Sequence, residues 1–450
     1  MNEPHKTDFL GRDAIFPLLL KMGIPAAVGM LVNALYNVVD TIFVGHGVGP
    51  LAIAALSIVF PLQMIVSAVA QALGIGAASI VSRRLGEKRP DAAAAAMGTA
   101  YAAVMLVTAV LVALVFLFTR PILAFFGASE TVMPYALSYT RIVAAGFFFF
   151  SMSMCASNLI RAEGNAKASM LGMLLGAGLN TILDPIFIFG FGMGVEGAAV
   201  ATVISQVVSC AYLFSLYFRK KSHVPIGVAD LRIEPSVLRD EALLGVPAFV
   251  QSAGMSLLAL LINTTLGRYG GDLAITTYGM NHKILSIVIM PILGIIQGFQ
   301  PIAGYNYGAK RFDRVRQSLK TTVLTALAVS LAGYAFMMLA PRAAIGLFTA
   351  DAELIASSAR VLRVMVLFIP LASLQITGST YFQAVGKKTQ SMMLGLSRQF
   401  LLLIPIVLIL PLFIGVDGVW LAFPIADLAS TVITLALLAR ELRHLESRSA

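Results

Sequence analysis

Three carboxylates stand well inside long apolar stretches of this 450-residue chain: Asp40, Asp184 and Asp427. A carboxylate at membrane depth costs about 2.5–3.5 kcal/mol on insertion scales, so each is a candidate for chemistry. Asn33, Asn37 and Asp40 are spaced by four and three residues and share one helix face. Asn180 and Asp184 are four apart, and Thr202 follows in the next apolar segment. Two carboxylates, an amide and a hydroxyl can hold a desolvated hard cation through oxygen ligands. They can equally share a proton, because one of two neighbouring carboxyls is pushed to keep its proton. No catalytic constellation accompanies them. The five histidines are scattered without metal-ligand spacing, and Cys155 and Cys210 both lie inside apolar segments, which gives no disulfide framework.

The elements that must position these groups follow from composition. Hydrophobic residues make up 58% of the chain and charged residues 12%, against about 25% charge in an ordinary soluble protein. A soluble fold could not cover itself with so little polar surface, which excludes a soluble enzyme or a nucleic-acid binder. Runs of twenty apolar residues also exclude a transmembrane barrel, whose strands alternate. Twelve apolar segments are expected, at 14–44, 50–82, 92–118, 133–160, 168–191, 196–218, 238–266, 272–303, 315–340, 352–384, 389–412 and 416–439. The fold class is therefore all-α, a polytopic membrane protein. The first segment lacks a small-residue cleavage site and is read as a mature helix rather than a signal peptide.

Lys and Arg set the orientation. With the N-terminus inside, the inner loops carry RRLGEKR (83–89), RAEGNAK (161–167), RKK (219–221), AKRFDRVR (309–316), GKK (386–388) and the tail. The outer loops hold little beyond Arg120, Arg268 and Arg342. This asymmetry places both termini in the cytoplasm and accounts for the net charge of +10.

The chain also repeats. Pro25 matches Pro247, Gly86 matches Gly308, Phe126–Ala128 matches Phe348–Ala350, and Gly164 matches Gly386, each at a separation of 222. Gly197 matches Gly418 at 221. Two six-helix bundles in the same orientation are implied, residues 1–218 and 238–450, joined by a cytoplasmic linker at 219–237. Parallel repeats of this kind are a transporter architecture.

Depth can then be compared at about 1.5 Å per residue. Asp40 falls near the outer end of helix one, Asp184 in the outer half of helix five, and Thr202 about 9 Å from the outer end of helix six. All belong to the first bundle. At the repeat offset Asp40 maps to Ile262 and Asp184 to Ile406, so ion chemistry is expected in the first half alone. Asp427, which follows Pro424 in helix twelve, is read either as functional or as the partner of a buried base. Pro25 is placed to kink helix one, read either as a static kink or as a bend that moves Asp40.

The stretch NALYNVVDTIFVG (33–45), the segment QPIAGYNYGAKRFDRV (300–315) and the repeated loop glycines resemble the multidrug and toxic compound extrusion (MATE) family over nearly the whole chain. The resemblance implies cation-coupled export of drugs or metabolites by rocking of two lobes. Asp40, Asn180, Asp184 and Thr202 match the first-lobe cation site of that family, as a metal set only if Na⁺ is the coupling ion. Some members carry essential acids on helices seven and ten, where this chain has Gln251 and Gln375. Candidates for the substrate cavity are Asn33, Tyr36, Asn37, Gln251, Asn281, Lys283 and Gln297.

The expected function is a secondary antiporter that exports cationic or amphipathic organic solutes in exchange for H⁺ or Na⁺ by alternating access. It would be a monomer in a bacterial or archaeal cytoplasmic membrane, with no cofactor beyond the coupling ion and no nucleic-acid partner. A flippase for a lipid-linked saccharide is the alternative. It would need a basic cavity for pyrophosphate, and only Lys283 and Arg363 offer one. A membrane enzyme lacks a reactive set, and ATP-driven transport lacks a GxxxxGK[ST] stretch.

Overall fold

A computed structural model of the chain describes residues 7–219, 222–224 and 226–449. Ten helices among them are long and apolar enough to cross a bilayer, and one bent pair supplies an eleventh crossing. Pro235–Gly308 counts once in that tally, yet its 74 residues would run about 110 Å against a hydrocarbon core of about 30 Å. It breaks at Gly271, where φ is 65° and ψ is −164°, a conformation open essentially to glycine alone. It is therefore two crossings, and the described residues make twelve.

In chain order these are α1 (Ile15–Gly47), α2 (Pro50–Gly86), α3 (Pro90–Phe125), α4 (Met133–Ala162), α5 (Ala166–Pro185) and α6 (Gly194–Phe218). There follow α7 (235–270), α8 (272–308), α9 (Phe312–Leu339), α10 (Ala352–Met365 with Ile369–Ala384), α11 (Lys388–Ile414) and α12 (Val416–Ser449). No strand occurs among the described residues, as the all-α expectation required. One segment differs from its expected form: 352–384 is bent by 50° rather than continuous. Pro370 stands at the start of its second half, where it offers no N–H to the preceding turn and restricts the residue before it.

Local chemistry starts and stops the helices. Prolines open α2 and α3, where their missing N–H costs nothing. The Asn165 side chain caps α5 by accepting from the Ala168 N–H at 3.2 Å, and Asp351 caps α10 through Glu353 and Leu354. The left-handed turns repeat: Gly49 and Gly271, Lys88 and Lys310, and Gly164 and Gly386 all have positive φ, each pair 222 residues apart. A lysine in that region is held against a cost of about 1–2 kcal/mol, so its recurrence at one offset marks the same loop built twice.

By packing, the chain forms two units. One is built on Val28–Ser252 with residues 7–9, and the other on Leu10–Ala27 and Ala253–Ala450. The first turns of α1 therefore fold with the second unit and the first turns of α7 with the first. Within the second unit a Cβ on Gly294 would lie 2.3 Å from the Ala27 Cα, and one on Gly298 would lie 2.5 Å from the Gly23 nitrogen. Within the first unit a Cβ on Gly76 would lie 2.0 Å from the Glu241 carbonyl oxygen. Gly76 and Gly298 are themselves 222 apart, so the same backbone-to-backbone crossing is made twice. Lipid tails are as apolar as leucine, so such close approach, rather than hydrophobic burial, holds membrane helices together. The linker lies on the first unit: Thr99 donates its hydroxyl to the Arg232 carbonyl at 3.0 Å, and the Glu234 N–H donates back to Thr99.

Candidate functional site

Helix α5 carries Asn180 and Asp184 one turn apart, and α6 brings Thr202 against them. The Asn180 amide Nδ2 donates to Asp184 Oδ1 at 3.2 Å and to Thr202 Oγ1 at 3.3 Å. All three residues are buried. From α1 the Asp40 carboxyl reaches Asp184 and the two interact directly through their side chains. Two carboxyls at that range need something positive between them, a proton or a metal cation.

What remains after these bonds are counted is acceptor capacity. Asp40 Oδ1, Asn180 Oδ1 and Asp184 Oδ2 are all buried and have no hydrogen-bond partner. Buried oxygens of this kind are costly unless matched. Three of them beside the Thr202 hydroxyl make a set of hard oxygen donors suited to Na⁺ or to a shared proton, and unsuited to a soft metal.

Two tyrosines border the set. Tyr36 lies one turn before Asp40 on α1, close to both carboxyls. Tyr139 of α4 is buried near Asp40, with its hydroxyl beside the Gln63 side chain of α2. Tyr139 and Gln63 were not legible as site residues. Neither carries charge, and each stands on a helix where the sequence offers no acid to draw attention.

The equivalent place in the second unit is apolar. Ile262 is fully buried in a cluster with Leu266, Leu403 and Val407, and Ile406 and Phe423 pack against it. Asp427 sits elsewhere in that unit and has the base anticipated for it: Arg398 Nε donates to Asp427 Oδ1 at 2.6 Å. Arg398 lies in the wide-turn segment Ser397–Leu403 of α11.

The cavity candidates are dispersed. Tyr36 joins the carboxyl cluster, Asn33 is half-buried and has a polar partner, and the side chain of Asn37 lies outside the described residues. Gln251 is exposed on α7. Asn281 is buried in the second unit and donates to the Ser358 carbonyl at 3.2 Å, which ties α8 to α10. Gln375 similarly donates to the Leu394 carbonyl. Gln297 is half-buried and partnered, and Lys283 is exposed with no carboxylate paired to it among the described residues.

One acid outside the spans is also buried. Glu163, in the loop between α4 and α5, accepts from the Ser222 hydroxyl at 2.7 Å and the His223 N–H at 2.6 Å, which fastens the linker. Burial pushes its carboxyl up to about 7, against the pull of Ser222 and the backbone N–H groups of His223 and Val224.

Twelve crossings in a twofold repeat, with the interacting Asp40–Asp184 pair in the first unit alone, fit an integral-membrane transporter. A family model described as MatE matches residues 25–186 and again 247–409. The chain belongs to that family, the MATE efflux transporters. It is similar to the multidrug export protein MepA of Staphylococcus aureus strain NCTC 8325, 26% identical over 420 residues that cover 93% of this chain and 92% of the relative. It superposes on the outward-facing conformation of a multidrug resistance MATE transporter of the MOP superfamily with a TM-score of 0.90, 27% identity, and 99% and 100% coverage of the two chains. It is likewise similar to the MATE multidrug transporter DinF-BH, with a TM-score of 0.88, 41% identity and 96% of each chain covered.

Proposed function

We propose that this chain is a secondary antiporter that exports cationic or amphipathic organic compounds, drugs among them, in exchange for H⁺ or Na⁺ bound between Asp40 and Asp184. The observation that carries the reading is the trio of unmatched buried oxygens on Asp40, Asn180 and Asp184. A cation or proton arriving there removes a desolvation cost that the fold otherwise bears, and so binds one conformation better than another. A ligand shifts a conformational equilibrium only by such differential affinity. An exported cation would compete for the same negative charge, and by linkage each ligand weakens the other by an equal factor. The halves 1–218 and 238–450, with the first turns of α1 and α7 exchanged between them, would act as near-rigid lobes about the 219–237 linker. The protein would work as a monomer in a prokaryotic cytoplasmic membrane with both termini inside. The named relatives support export of drugs, and the Lys/Arg distribution supports the orientation.

The test is efflux of a fluorescent organic cation from proteoliposomes under an imposed pH gradient and, separately, a Na⁺ gradient. One gradient should drive export, and Asp40→Asn or Asp184→Asn should reduce the driven component at least tenfold while the protein still folds. Full driven transport in both variants would defeat the proposal.

A further inference from the structure

Another buried acid stands where the repeat has a leucine. Glu241 lies near the start of α7, in the stretch that folds with the first unit. Its side chain is fully buried, and neither Oε1 nor Oε2 has a hydrogen-bond partner. The residue 222 positions earlier is Leu19, which is also buried, at 1% exposure. The fold thus asks for an apolar side chain of this size at this point in each repeat, and in one of them it receives a carboxyl.

The surroundings offer nothing to hold a charge. The backbone of α7 lies directly on α2: a Cβ on Gly76 would sit 2.0 Å from the Glu241 carbonyl oxygen, and one on Gly245 would sit 2.1 Å from that of Ala72. Helix α2 has no charged residue before Arg83, and the Arg83 Nε is bonded to the Ser79 carbonyl at 3.1 Å. On helix α4 the buried thiol of Cys155 lies near enough to Glu241 to feel its charge. Further along α4, the Arg161 guanidinium donates to Asn158. On α7 itself Arg239 is exposed, and the charge that acts on Glu241 is that of Asp240, of the same sign. A metal cation would need several more oxygen ligands than two carboxyl oxygens supply. An ionised carboxylate left bare in such a place is too costly to persist, and it takes up a proton instead.

We propose that Glu241 is a proton-binding site, occupied while the first turns of α7 are packed on α2, and that loss of the proton releases those turns from the first unit. The side chain is buried with both carboxyl oxygens unpartnered, and the backbone of its own turn is pinned against Gly76. A charge can therefore be accommodated only if the helix start moves away from Gly76. The matching crossing of the second unit, with Leu19 in the same role, has no such dependence. The site is separate from the Asp40–Asp184 pair and does not rest on the assignment of a coupling ion to that pair.

The test is amide hydrogen exchange of the intact protein in nanodiscs, without substrate, from pH 5 to 9, with rates corrected for intrinsic base catalysis. In the wild type, protection of residues 235–252 should fall at least tenfold as pH rises, while residues 15–27 keep theirs. Glu241→Gln and Glu241→Leu should both hold protection constant across the range, and the leucine variant is expected to fold because Leu19 occupies the equivalent site. Asp40→Asn should retain the wild-type dependence, so that failure of the ion-pair reading and failure of this one give different results. Protection of 235–252 that is independent of pH in the wild type would overturn the proposal. So would a pH dependence that survives in both Glu241 variants.

Discussion

Asn180 organises the carboxyl cluster, because its single amide bonds both Asp184 and Thr202 and leaves three oxygens unmatched. Thr202 accepts from Asn180 on its hydroxyl oxygen, which leaves its own proton free to be donated elsewhere. The other buried acid with a definite consequence is Glu163. An ordinary glutamate titrates near about 4.3, and burial pushes this one up to about 7. Its folded-state value is raised, so the fold favours the protonated form. The stabilisation is complete below the ordinary value and is lost as pH rises through about 7. Corrected exchange at His223 and Val224, whose N–H groups face Glu163, should therefore quicken as pH rises from about 4.5 to about 7 and level off above it. Glu163→Gln should flatten that profile, and an unchanged profile in the variant would assign it to another group.

At the scale of elements, the helices are held by places where one backbone meets another. Gly76 against Glu241 and Gly298 against Gly23 are the same contact in the two repeats. Gly76→Ala forces a Cβ to within 2.0 Å of a carbonyl oxygen and should cost about 1–3 kcal/mol, the usual penalty of overpacking. Gly279 lies in helix α8 with open space around its Cβ direction. There, alanine should be neutral or stabilise by up to about 1 kcal/mol through helix propensity. Thermal unfolding of both variants in one detergent checks the contrast, and an equal Tm for Gly76→Ala and wild type would show that the crossing is loose. The Arg398–Asp427 pair belongs to this scale as well. Placed on α11 and α12 and matched within itself, it ties two helices and leaves no unpaired charge for a ligand.

For the whole molecule the crossed allegiance of α1 and α7 matters most. Each leaves one packing unit and enters the other, α1 at residues 27–28 and α7 at 252–253. The changeover in α1 comes two residues after Pro25 and that in α7 five after Pro247, and a proline inside a helix removes a hydrogen bond from the turn before it. These are the positions at which bending costs least, and Asp40 lies beyond the first of them on the same helix. Spin labels on the inner loops at Gly86 and Gly308 should change separation when the coupling ion or an organic cation is added. A distance that stays fixed under every condition would count against alternating access by the two lobes.

The sequence by itself determined the solvent, the number of crossings and the repeat. Those rest on composition and on a 222-residue offset in loop glycines, both properties of the chain alone. It also named the four residues that meet at the cluster: Asp40 and Asp184 because a carboxylate in an apolar run is rare, and Asn180 and Thr202 by spacing, depth and the family resemblance. It did not single out Tyr139, Gln63 or Glu241. The first two are neutral and become site neighbours only when α4 and α2 pack beside α1. Glu241, near the edge of a span, reads as an ordinary interfacial acid until Gly76 is seen to bring α2 onto it. Nor did it reveal that the starts of α1 and α7 exchange units, since the repeat divides the chain at the linker. Sequence periodicity records which residues leave water, but which apolar surface each one meets is decided by close packing between segments far apart in the chain, and that is a property of the tertiary structure.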